Sequence, residues 1–115
     1  MLSSMTTREV DGVSIVALEG RIVFGEESNA LRAKVESLLA EGKQKIVLNM
    51  KNIVYIDSAG LGMLVAAHLS VKARGASLCL CHLGSKFQEV LEMTRLSSVF
   101  QVYPTQAAAV ASFST

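Results

Sequence analysis

Ser58 is the residue with the most chemistry open to it. It stands in Ile56-Asp57-Ser58-Ala59-Gly60-Leu61-Gly62, between the apolar run Ile46-Val47-Leu48-Asn49-Met50 and a further apolar stretch that reaches Ala67. A hydroxyl can attack a substrate or accept a phosphoryl group, and its neighbours weigh against attack. A nucleophile elbow needs Gly-x-Ser-x-Gly, and Ile56 fills the place of the first glycine. A general base must lie within hydrogen-bond reach. His68 is ten residues further along the same helical run, roughly 15 Å of rise away, and His82 has no evident acid to orient it. A phosphate-cradling Gly-x-x-x-x-Gly-Lys-Ser/Thr loop is absent as well. No catalytic residue is assigned.

Cys79 and Cys81 alternate with Leu78 and Leu80, so both would share one face of a strand at a Cα separation of roughly 6.6 Å. That spacing suits neither an easy disulfide nor the Cys-x-x-Cys pairs of structural zinc. Buried, reduced thiols behaving as small hydrophobes are the expectation, with no metal and no cofactor.

The elements that must hold Ser58 in place follow from the pattern. Residues 46–50 are too short for a helix and apolar save for Asn49, which predicts a strand buried on both faces in mid-sheet. A six-residue connection, Lys51 to Ile56, leads to a helix running from Ser58 to about Arg74 and closed by Gly75, with Asp57 or Ser58 as its cap. Ser58 therefore sits where a central strand hands over to a helix, a place where open α/β sheets meet ligands and partners. Gly60 and Gly62 in the first turns each cost about 0.8–1 kcal/mol relative to alanine, so something must approach the backbone there. Either the sheet or the neighbouring helix does so, or a docking partner does. Around them Ala59, Leu61, Met63, Leu64, Val65, Ala66 and Ala67 make every face apolar, and exposed apolar surface marks interaction sites. Arg21, beside Gly20, reads as a solvent-facing cation. Thr94-Arg95 reads as a helix end with a cation on its C-terminal dipole.

Elsewhere, Thr6–Val10 and Val13–Leu18 flank Asp11-Gly12, a hairpin signal. Residues 20–25 form a glycine-bounded connection. A helix follows from Glu26-Glu27-Ser28 to about Glu41, with Leu31, Val35, Leu38 and Leu39 as its apolar stripe and Gly42 as its stop. After the Ser58 helix come a strand over Ser77–His82, a helix from Ser85 to about Thr94 with Phe87, Val90 and Leu91 on one side, a short strand over Val99–Tyr103, and a terminal helix from Gln106 to about Phe113. The order ββαβαβαβα implies right-handed crossovers and a mostly parallel central sheet with an N-terminal β-hairpin and about four helices, in one α/β domain over residues 1–115. Eleven Lys and Arg against ten Asp and Glu, with no block of like charge, argue against nucleic-acid or membrane-surface binding. No apolar run reaches the roughly 20 residues of a membrane span, and no signal peptide is evident, so a soluble cytoplasmic protein is expected.

The sequence resembles the STAS domain of bacterial anti-sigma factor antagonists. The resemblance is carried by Ile53-Val54-Tyr55-Ile56-Asp57-Ser58-Ala59-Gly60-Leu61-Gly62, with Leu18-Glu19-Gly20-Arg21-Ile22, Ala30-Leu31-Arg32, Gly75 to Leu80, Val90 to Leu96 and Val99-Phe100 in support. It implies phosphorylation of Ser58 by a partner that is both an anti-sigma factor and a serine kinase of the GHKL type. It further implies release on phosphorylation, a PP2C-type phosphatase that restores the serine, and a partner surface made of Arg21, Val23, Asp57, Ser58, Ala59, Gly60, Leu61, Gly62, Met63 and Ala66. Val23 and Asn49 stand where many members of that family carry Asp. The other reading is a STAS-like scaffold or accessory subunit of a signalling or transport complex, docking by the same helix without phosphorylation. A monomer or weak dimer is compatible with either.

Overall fold

A computed structural model describes residues 2–23 and 25–114. Five strands form one sheet in the order β1-β2-β3-β4-β5, comprising β1 (Leu2–Val10), β2 (Val13–Ile22), β3 (Lys45–Ile56), β4 (Ser77–Cys81) and β5 (Gln101–Tyr103). The opening hairpin is antiparallel, with Val10 opposite Val13, and every later pair is parallel. Asp11 and Gly12 both have positive φ, 51° and 79°, as a two-residue primed turn requires.

Alternation along the strands divides the core between two faces. On one, Val16, Leu18, Ile22, Ile46, Leu48, Met50, Leu78 and Leu80 pack beneath α1 (Glu26–Ala40), α2 (Ser58–Ala73) and α3 (Ser85–Met93). On the other, Val13, Ile15, Val47, Cys79 and Cys81 lie against Ala109 and Val110 of α4 (Gln106–Ala111). The stripe on α1 behaves as expected: Leu31, Val35 and Leu38 are buried and Leu39 is half-buried. β3 occupies the centre of the sheet and is buried at Ile46, Val47 and Leu48.

Several boundaries differ from those the sequence predicts. The connection expected at 20–25 is strand as far as Ile22, and the one expected at 51–56 is strand throughout. Glu19, Gly20, Arg21 and Ile22 pair with Asn52, Ile53, Tyr55 and Ile56, and the register shifts between Ala17 and Glu19 and again between Gly20 and Arg21. The extra residues fall on β3, so bulges broke the alternation that would have revealed the strand. Phe24 of that first connection lies outside the described residues. Residues 96–98 form a short 3-10 turn, so β5 begins at Gln101 rather than Val99, and 112–114 end the chain's last helix as another such turn. Val90, on the edge of the stripe that it forms with Phe87 and Leu91, is exposed where they are buried.

Candidate functional site

The start of α2 is fixed to the end of β2 through one carbonyl. The Asp57 N–H donates to the Ile22 carbonyl oxygen at 3.2 Å, the Asp57 carboxylate accepts from the Gly60 N–H at 2.7 Å, and the Asp57 carbonyl accepts from the Leu61 N–H at 2.9 Å. Asp57, in extended conformation with φ −96° and ψ 177°, is therefore the N-cap. Ser58 is the first helical residue, exposed, on a helix end whose leading N–H groups have no intrahelical acceptor. Arg21 and Val23 flank Ile22 in sequence, so the end of β2 stands beside this helix start. Arg21 is exposed and Val23 half-buried.

The two glycines answer the question the sequence left open, and they answer it differently. A Cβ on Gly60 would run into the Ile22 carbonyl oxygen and come within 3.0 Å of its carbon and of Ile22 Cγ2, so here the sheet makes the close approach. A Cβ on Gly62 meets nothing within 4 Å, and Gly62 is exposed. Packing does not account for that glycine. Among the expected partner residues Gly60 and Leu61 are buried and face the core. Ser58, Ala59 and Gly62 are exposed, and Asp57, Met63 and Ala66 are half-buried. Leu69, 57% exposed, extends the row Ala59, Gly62, Ala66 at helical spacing, a periodicity that the sequence also carries.

The groups that could have supported other chemistry lie elsewhere. His68 turns its ring edge-on to Phe100 at 5.4 Å, with its Nδ1 buried and without a hydrogen-bond partner among the described residues. Burial, and secondarily the charge of Lys72, hold its pKa below the ordinary 6.5. His82 accepts the Gln106 N–H on Nε2 at 3.1 Å, which ties down the first turn of α4. Burial pushes the Cys79 thiol up to about 12, with Cys81 adding to the rise, and burial pushes Cys81 up to about 11. Both are unreactive core thiols. Asn49 donates to Gln106 Oε1 at 2.9 Å and accepts the Lys51 N–H at 3.0 Å, so it holds α4 to the sheet. Among the described residues no group of three or more His, Cys, Asp and Glu could hold a metal ion, and no helix is long and apolar enough to cross a membrane.

Residues 4–109 match the model of the STAS domain. The chain belongs to the STAS domain family. BtrV of Bordetella bronchiseptica is 30% identical over 111 residues, covering 96% of this chain and 95% of that one. The anti-sigma-B factor antagonist of Listeria monocytogenes is 30% identical over 99 residues, 83% of this chain and 82% of its own. The same fold occurs in the Bacillus cell fate determinant SpoIIAA in its phosphorylated form, at a TM-score of 0.73 and 17% identity, covering 96% of this chain and 99% of that one. The anti-sigma F factor antagonist of Paenibacillus polymyxa is 25% identical over 100 residues, 86% of this chain and 85% of its own.

Proposed function

We propose that this STAS domain is an anti-sigma factor antagonist that works in the cytoplasm by partner switching. It binds an anti-sigma factor that is also a GHKL-type serine kinase, is released when that kinase phosphorylates Ser58, and regains binding when a PP2C-type phosphatase removes the phosphate. The observation that carries the reading is an exposed serine hydroxyl at the first position of α2, four residues before a glycine that nothing in the fold requires.

The physics suits a switch that leaves its owner folded. A phosphoserine brings about −1.5 to −2 charges at pH 7. At a helix N-terminus the macrodipole and the unpaired N–H groups accommodate an anion. For a partner seated on Ala59, Gly62 and the half-buried Met63, the same charge beside the Asp57 carboxylate adds repulsion and desolvation. Each 1.4 kcal/mol so lost is tenfold in affinity. The kinase supplies nucleotide and metal chemistry, and this chain supplies an acceptor hydroxyl and a thin, apolar seat.

The test is incubation with candidate anti-sigma kinases and ATP, with the phosphate mapped by mass spectrometry and binding compared between the native protein and Ser58→Asp. Label at Ser58, with binding lost in Ser58→Asp, is expected. No label, with Ser58→Asp bound as tightly as the native protein, overturns the proposal. If Gly62→Arg then still abolished the complex, the scaffold reading would take its place.

A further inference from the structure

β3 outruns its neighbour. β4 ends at Cys81, opposite Asn49, while β3 continues through Ile56, so among the described residues no strand lies beside the side of residues 50–56 turned away from β2. The chain turns back at His82, where φ is 57°, and starts α3 at Ser85, leaving a groove of about 340 Å³ between that helix and the overhanging strand. Its walls are Ile53, Val54 and Tyr55 from β3 and Phe87 and Val90 from α3, and among the described residues Lys86 is the one charged residue that lines it. Val54 is 79% exposed and Tyr55 54%, so a large apolar surface has been left open to water. No residue of the Ser58 surface lines this groove.

We infer that the β3–α3 groove binds an apolar monocarboxylate, such as a medium-chain fatty acid, with the chain along Ile53, Val54 and Val90 and the carboxylate on Lys86. Three features select this occupant. An apolar cleft of this volume with one polar group to fix orientation matches the usual make-up of small-molecule sites. The charge is complementary: among the described residues a cation lines the groove and no carboxylate does. The α3 start beside Lys86 has no side-chain cap, which favours the same sign. An added peptide strand fits less well, because the two register shifts bend β3 where a partner strand would have to pair. The ammonium of Lys86 also has no ion-pair partner among the described residues.

The full chain, methyl-labelled for NMR, is titrated with sodium decanoate and separately with decanol. Saturable shifts confined to Ile53, Val54, Val90 and their neighbours are expected for decanoate, with decanol about tenfold weaker for want of a charge-assisted contact. Lys86→Glu, a substitution at an exposed site, should weaken decanoate about tenfold while leaving the rest of the spectrum unchanged. Val90→Asp should weaken both compounds. Shifts that do not saturate or that scatter over the surface, equal affinity for decanol, or a folded Lys86→Glu that binds as the native protein does would each overturn the inference.

Discussion

Asp57, Ser58, Gly60 and Gly62 lie within two turns, yet each answers to a different force. Asp57 is structural: its carboxylate holds the Gly60 N–H, so Asp57→Ala should cost about 1 kcal/mol, measurable by urea denaturation. Gly60 is steric. Gly60→Ala drives a Cβ against the Ile22 carbonyl, which belongs to backbone that cannot swing aside, and should cost about 1–3 kcal/mol. Gly62→Ala should do the reverse and stabilise the fold by up to about 1 kcal/mol, since the position is helical and open. A loss of stability on both substitutions would show that Gly62 also serves packing. Gly62→Arg should fold normally and lose the partner. Ser58→Asp should keep the native thermal midpoint because the helix start tolerates the charge.

Among the elements, α4 is the thinnest. It has six residues and covers the second face of the sheet with Ala109 and Val110. Its first turn is tied down three times, by Thr105 accepting the Ala108 N–H at 3.1 Å, by His82 accepting that of Gln106, and by the Asn49 amide donating to Gln106 Oε1. Cys79 and Cys81 lie beneath it, so their reactivity reports its opening. At about pH 8 a thiol held near 12 is ionised in about one molecule in ten thousand, and the native protein should resist thiol reagents. Thr105→Ala removes a cap of about 1 kcal/mol and should speed modification about fivefold if α4 opens as a unit. An unchanged rate would mean that the thiols are reached only through global unfolding. β3 teaches another lesson at this scale. Residues 46–50 were legible because a run apolar save for Asn49 and too short for a helix reads as a buried strand. Residues 51–56 were not, because the bulges scramble the alternation and what keeps them in the sheet is β2.

For the molecule as a whole, His68 couples acidity to stability. Its pKa in the fold is lowered by burial and by Lys72, so below the ordinary value of 6.5 the unfolded chain binds a proton that the folded one refuses. Stability contributed by the neutral ring is therefore complete above 6.5 and drains away as pH falls from there toward the folded value. Thermal midpoints taken between about pH 7 and pH 5 should fall more steeply for the native protein than for His68→Leu, and parallel slopes would show that the ring is free to protonate in place. The sequence by itself determined the element order, the hairpin, the central strand and the serine at a helix start. Those features rest on local periodicity, turn chemistry and capping, which act between residues a few positions apart. Tertiary structure alone decided which glycine serves the sheet and which faces outward, that His82 and Asn49 secure α4, and that β3 overhangs β4 to leave a groove. Each of these depends on where distant segments come to lie, and no spacing along the chain encodes the distance between Gly60 and the carbonyl of Ile22.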